Sequence, residues 1–370
     1  MKRKKGICIL CSLILLLALL SGCGNNSSAS ASASKGDGKK PLNWKQSIQT
    51  VPAPDEMPWP DATDSDVGQE DIPAYYLGNG WQEPSDAQYQ GTLAELTYVS
   101  SLTSVSGDPE EKSVNIYLPY GYTPEKKYDV LYIMHGMGAS NTTFLGENGE
   151  YDGGLKKVLD YAIEQGKIKP LIVVAPDLGN VSDYDENRLD ALCLEIRTIV
   201  MPLVESTYST YAESTDYEGL TASRDHRAFG GFSMGGCITW RMLWNYTEYF
   251  RYYIPCSMIV DFDLNGDVPG ETYNMVSKLQ YEGYTWKDYS VYCATGSEDY
   301  TSGMVNLQVQ EFEKYPDQFK EAEDGFENGN LMFRVWKGRT HHFYLSFDYF
   351  YNALMLFFPG DGVDMAPGDS

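Results

Sequence analysis

A serine framed by glycines two residues to either side, Gly231-Phe232-Ser233-Met234-Gly235, stands between a strand-like run, Arg227 to Gly230, and a helix-like run, Cys237 to Trp244. A chain that leaves a strand and enters a helix within five residues must turn sharply. The turn crowds the two flanking positions together, where a Cβ would clash. It also pushes the central hydroxyl out of the backbone at the top of a sheet, the geometry of a nucleophile elbow. Such a pentad arises by chance often enough that its flanks must support it. Here they do, and the reading predicts a serine hydrolase or acyltransferase.

The rest of the chain has the periodicity that such an elbow needs. Leu93 to Ser100 and Ser113 to Leu118 read as strands. Val130 to Met134 and Leu171 to Pro176 are short, wholly apolar runs, as strands buried on both faces are. Tyr252 to Ser257, Ser290 to Ala294 and Leu331 to Trp336 read as three further strands. Leu155 to Gln165, Leu189 to Tyr208 (despite Pro202) and Phe343 to Phe358 carry helical spacing. Strands alternating with helices predict an α/β fold with a mostly parallel central sheet covered by helices on both faces. One domain is expected over residues 90–360.

A serine hydroxyl needs an adjacent base, and the base needs an orienting acid. There are four histidines. In a fold with an elbow of this kind the order is serine, acid, histidine. His135 and His226 precede Ser233, which leaves His341 and His342, between the last strand and the last helix. His341 is the expected base and His342 a loop-shaping or substrate-contacting neighbour. The acid belongs in the loop after the strand Ser290 to Ala294, which makes Asp299 the first choice. Glu298, then Asp261 or Asp263, are the alternatives. Two backbone N–H groups are needed for a developing oxyanion. Met234, directly after the serine, and Met137, in the loop Met134-His135-Gly136-Met137-Gly138, are the expected donors. His135 is then structural, holding that loop. Tyr273, Tyr281, Tyr284 and Trp286 lie in an acidic, tyrosine-rich stretch, and Tyr284 and Trp286 are candidate substrate contacts beside the alternative that they cover a sheet edge.

The N-terminus reads differently. A basic start, Met1 to Lys5, precedes an apolar run, Ile7 to Leu20, too short to span a membrane comfortably and suited to a signal-peptide core. It ends in Leu20-Ser21-Gly22-Cys23, which resembles the lipobox of bacterial lipoproteins. The expectation is a leader over residues 1–22, lipidation at Cys23, a flexible Ser/Ala/Gly tether over 23–40 and a Pro/Asp-rich extension over 41–89. The formal charge is −24, and loss of the leader's four basic side chains takes it to −28. A surface of that sign repels nucleic acid and anionic headgroups, so no nucleic-acid partner is expected and membrane contact only through the lipid. Cys193, Cys237, Cys256 and Cys293 form no C-x-x-C pair, so no metal site is expected. Three sit in apolar runs as buried thiols, and a disulfide at Cys193 is left open.

In order along the chain, these features resemble the feruloyl esterase and acetyl xylan esterase domains of carbohydrate esterase family 1. More broadly they are similar to the esterase group that includes enterochelin esterases. The resemblance is carried by Gly91 to Tyr98, Val114 to Pro119, Lys127 to Gly136, Gly166 to Val174, His226 to Gly236 and His341-His342-Phe343. It implies an α/β-hydrolase fold, Ser233, Asp299 and His341 as nucleophile, acid and base, oxyanion donors at Met137 and Met234, and no cofactor. It further implies a cell-surface esterase acting on feruloyl or acetyl esters of xylan, with plant cell-wall polysaccharide or its oligosaccharides as partner. The alternatives are a non-catalytic carbohydrate-binding lipoprotein on the same fold, or an esterase or acyltransferase for another ester such as a siderophore. His342 departs from the family pattern as a second histidine.

Overall fold

The computed structural model describes residues 85–147, 151–179, 186–261 and 266–362. The expected leader, Cys23, the tether, most of the 41–89 extension and Asp263 lie outside the described residues. The strands are β1 (Thr92–Ser100), β2 (Glu110–Leu118), β3 (Asp129–Met134), β4 (Gly146–Glu147), β5 (Tyr151–Asp152), β6 (Leu171–Ala175), β7 (Arg227–Phe232), β8 (Tyr252–Cys256), β9 (Ser290–Gly296) and β10 (Leu331–Trp336). The helices are α1 (Gly154–Glu164), α2 (Glu186–Glu195), α3 (Met201–Thr207), α4 (Tyr217–Ala222), α5 (Met234–Asn245), α6 (Val268–Tyr281), α7 (Ser302–Phe312) and α8 (Ser346–Phe357). Eight strands form one sheet in the order β1-β2-β6-β3-β7-β8-β9-β10, and β4 and β5 pair separately. β1 and β2 run antiparallel to their neighbours, and β6 through β10 are all parallel.

Side-chain alternation along β3 builds the two layers. Val130, Tyr132 and Met134 join the core under α2, α3, α5, α6 and α7, whereas Leu131 and Ile133 join the core under α1 and α8. Successive residues of a strand point to opposite faces, so a strand buried on both sides is apolar at every position. β3, β6 and β7 are buried throughout.

One segment differs from the sequence expectation. The run Leu189 to Tyr208 is α2, a π-helical turn over Ile196–Val200, and α3, with Tyr208 already extended. Pro202 lies in the first turn of α3 and has no N–H for the ladder, so the wider turn before it absorbs the missing bond. The Asp261–Tyr289 stretch contains α6, opened by Asp267, whose side chain accepts from Gly270 N–H, with Pro269 just inside.

Beneath β7 a buried ion pair ties the sheet to the helical layer. Arg227 Nε and Nη2 reach the two oxygens of Glu205 at 2.6 and 3.1 Å, and Nη1 donates to the carbonyls of Leu220 and Tyr249. Tyr132 and Thr210 donate to the same carboxylate at 3.0 Å each. Both charged side chains are about 1% exposed. Removing one partner of such a pair leaves an uncompensated buried charge. Arg227→Ala is therefore expected to lose about 3–5 kcal/mol of unfolding free energy. Urea denaturation measures it, and a loss under about 1 kcal/mol contradicts this account.

Candidate active site

β7 ends where the helical layer presses closest. A Cβ on Gly231 would lie 2.3 Å from the Gly235 carbonyl oxygen, and one on Gly235 2.0 Å from that of Met134. Ser233, between them, has φ 58° and ψ −124°. That backbone costs a non-glycine residue about 1–3 kcal/mol and persists only where the surroundings enforce it. They do so here: Ser233 N–H donates to the Cys256 carbonyl at 3.0 Å, and the Ser233 carbonyl accepts from Gly236 and Cys237 N–H at 2.7 and 3.1 Å.

His341 comes to this hydroxyl from the loop after β10. Its Nε2 lies 2.9 Å from Ser233 Oγ, and its Nδ1 lies 2.9 and 3.0 Å from the two Asp299 oxygens. Asp299 is in the loop after β9, its side chain fully buried, and Oδ1 also accepts from the Thr301 N–H and hydroxyl at 2.8 and 2.7 Å. A carboxylate held this way fixes the ring with Nδ1–H toward the acid and the Nε2 lone pair toward the serine. Glu298 is exposed and Asp261 lies in the exit of β8, and neither is bonded to His341.

The loops that carry Asp299 and His341 are joined to each other. Ser297 N–H donates to the Trp336 carbonyl at 2.8 Å and Glu298 N–H to that of Arg339 at 3.0 Å. Arg339 in turn is anchored to α8 through Asp348 Oδ2, at 2.5 Å, and the Leu345 carbonyl, at 2.9 Å. Its guanidinium lies 4.4 Å from the Trp336 ring centre.

The remaining expected residues divide. The β3–β7 register sets Met134 opposite Gly231, so the loop after β3 lies beside the elbow. A Cβ on Gly136 would be 3.3 Å from Ser233 Cβ. Met137 is 42% exposed there. Met234 begins α5, where the first N–H groups have no intrahelical acceptor. His342 is half-buried against the rings of Phe343 and Tyr344, and burial, then the neighbouring His341, lowers its pKa.

Tyr284 and Trp286 must be corrected. They lie in the segment that enters β9 at Ser290, the opposite end of that strand from Asp299. Seven residues of strand put about 20 Å between the two ends. Trp286 there has Lys320 Nζ 4.5 Å from its ring centre, and the Tyr284 carbonyl accepts from Gln318. Aromatic content carries no information about which strand end a loop caps.

Sequence reasoning passed over Tyr300. Its ring centre is 4.3 Å from that of His341, and Phe232 approaches the same imidazole at 4.7 Å. Burial, then the Asp299 charge, raises the Tyr300 pKa, which keeps its hydroxyl a neutral donor. Its adjacency to Asp299 was the only available signal. The four cysteines Cys193, Cys237, Cys256 and Cys293 are all buried and free, which closes the question of a disulfide at Cys193. Among the described residues, no cluster of His, Cys, Asp and Glu could hold a metal, and no helix is long and apolar enough to cross a membrane.

Residues 109–355 match the Esterase family model, described as "Putative esterase". The chain belongs to the Esterase family. As an Esterase-family chain it is 38% identical, over 72% of its own length, to endo-1,4-beta-xylanase Y of Acetivibrio thermocellus. It is 26% identical over 175 residues to an endo-1,4-beta-xylanase/feruloyl esterase of Xylanibacter ruminicola. It spans only 23% and 21% of the lengths of these curated relatives. Among solved structures it is similar to a mutant of the feruloyl esterase module from Clostridium thermocellum complexed with sinapinate. That match has 36% identity and a TM-score of 0.65, and covers 78% of this chain and 93% of that one. A CE1 ferulic acid esterase from Anaeromyces mucronatus, 17% identical with a TM-score of 0.56 over 75% of this chain and 94% of that one, shares the fold. The α/β-hydrolase fold expected from the sequence is the fold observed.

Two measurements test the electrostatics. In an NMR titration His342 should protonate below the ordinary histidine value of about 6.5, and His341→Gln should raise its midpoint by removing the like charge. A midpoint above the ordinary value contradicts this environment. A histidine lowered in the folded state favours folding above its unfolded pKa, and that contribution is lost as pH falls toward the folded one. Separately, Asp299→Asn should leave the fold intact yet slow fluorophosphonate labelling of Ser233 by about 10³–10⁴-fold, because the ring loses its orienting acceptor. Labelling at the wild-type rate would remove Asp299 from the site.

Proposed function

We propose that this chain is a serine carboxylic-ester hydrolase acting on feruloyl or acetyl esters of plant cell-wall xylan or its oligosaccharides. One observation carries the reading: the hydrogen-bonded chain Ser233–His341–Asp299 on a strained elbow, in a member of the Esterase family.

His341 Nε2 takes the Ser233 proton as Oγ attacks the ester carbonyl carbon. The resulting oxyanion is met by the N–H groups of Met137 and Met234. As the intermediate collapses, His341 returns the proton to the departing alcohol, a sugar hydroxyl, and an acyl-enzyme remains. Water, deprotonated by His341, attacks that ester in turn, and the free acid leaves with Ser233 re-protonated. No step needs a cofactor.

The similarity to a module that was solved with sinapinate, together with Tyr300 and Met137 exposed beside the triad, favours an aromatic acyl group over acetate. The lipobox-like Leu20-Ser21-Gly22-Cys23 supports a lipid tether at Cys23 that holds the enzyme at the outer face of a bacterial membrane, where polymer fragments arrive.

Purified protein should hydrolyse methyl ferulate faster than 4-nitrophenyl acetate relative to their uncatalysed rates. Ser233→Ala should lower kcat by at least about 10⁴-fold with circular dichroism unchanged. Undiminished turnover in that variant would falsify the assignment of the nucleophile. Faster acetyl turnover would leave the esterase and reassign its acyl group.

A further inference from the structure

A second carboxylate–imidazole pair lies behind the loop that follows β3. His135 is 2% exposed. Its Nδ1 is 2.8 Å from the Gly136 carbonyl oxygen and its Nε2 is 3.2 Å from Asp177 Oδ1, in the exit loop of β6. Leu178 N–H also approaches Nε2, at 3.4 Å. Asp177 Oδ1 accepts from Gly179 N–H at 2.7 Å. Burial works to raise the Asp177 pKa, but the bonds from His135 and Gly179 outweigh it and hold the carboxyl below its ordinary value.

We propose that His135 and Asp177 are positioning residues that aim the Met137 N–H at the oxyanion formed on Ser233. The inference rests on the esterase reading and deepens it. Gly136 C=O and Met137 N–H belong to one planar trans peptide and point in opposite directions. Fixing the carbonyl therefore fixes the N–H. The Gly136 carbonyl is fixed twice, by the His135 ring and by Ala139 N–H at 3.3 Å. The same glycine abuts the nucleophile: a Cβ there would be 3.3 Å from Ser233 Cβ and 3.9 Å from its Oγ.

Asp177 adds strength to this arrangement. Asp177 Oδ1 and Leu178 N–H both meet Nε2, so the far side of the ring is held and Nδ1 cannot swing away from the Gly136 carbonyl. Holding the loop in place needs only the Nδ1 bond. A half-buried carboxylate from a different strand is the feature that simple loop-holding does not require.

The test uses the whole chain and keeps volumes constant with Asp177→Asn and His135→Gln. Methyl ferulate gives kcat and KM, phenylboronic acid serves as a tetrahedral mimic of the intermediate, and ferulate serves as a planar product. Rates are expressed per folded molecule by near-UV circular dichroism, so a folding loss cannot imitate a catalytic one. The expected result for Asp177→Asn is a fall in kcat of about tenfold with KM within about twofold. For His135→Gln the fall is about 10²–10³-fold, the effect of losing one oxyanion donor. Boronate affinity should fall alongside kcat while ferulate affinity holds. Unchanged boronate affinity in both variants, or equal losses for boronate and ferulate, overturns the proposal. If the wild-type protein hydrolyses no ester, the esterase reading fails first. If it is active and Asp177→Asn matches it, this inference alone fails.

Discussion

Everything at this site depends on how closely backbone meets backbone at the end of β7. Gly235 lies against the Met134 carbonyl and Gly236 against that of Cys256, where a Cβ on Gly236 would be 2.5 Å away. Without those missing side chains α5 could not seat its first turn between β3 and β8. Ser233 would then relax out of its positive φ. The bond from Ser233 N–H to Cys256 makes β8 part of the same clamp. The strain is local, and three neighbouring strands of a well-packed sheet hold it.

Parallel strands gather their exits on one edge, and that edge is where an open α/β sheet places its chemistry. The loop after β3, the elbow after β7, the Asp299 loop after β9 and the His341 loop after β10 all open there. The opposite edge carries structural work: the Arg227–Glu205 pair and the Tyr284–Trp286 segment belong to it. The distinction between edges is what separates functional from structural polar groups in this chain.

Much of this could be read from residues alone, because each part had a local signal. The elbow has its glycines, β3 and β6 their unbroken apolar runs, and His341 its place after the last strand. Asp299 could be placed by counting strand exits. The rest required distances between residues far apart in the chain. Nothing near Asp177 in the sequence says that it faces His135 across 42 positions, and nothing around Asp348 says that it anchors Arg339. Trp286 is a case of the same kind: its chemistry is legible in the sequence, and its place at the entry of β9 is not. The π-turn before Pro202 was hidden because helical spacing looks continuous across a widened turn.

The bonds between the β9 and β10 exits give the site a simple mechanical character. Ser297 and Glu298 donate to Trp336 and Arg339, so Asp299 and His341 sit on one stitched block that α8 holds through Arg339. The serine and the loop after β3 form the other block, built on β3 and β7. Alignment of the whole site then reduces to a single relationship between two bodies. A disturbance in α8 that shifts Arg339 would displace Asp299 and His341 in concert, preserving their mutual bond while breaking the one to Ser233. Failure at this site would therefore show first as a broken Ser233–His341 contact, whichever residue in the block of Asp299 and His341 was disturbed.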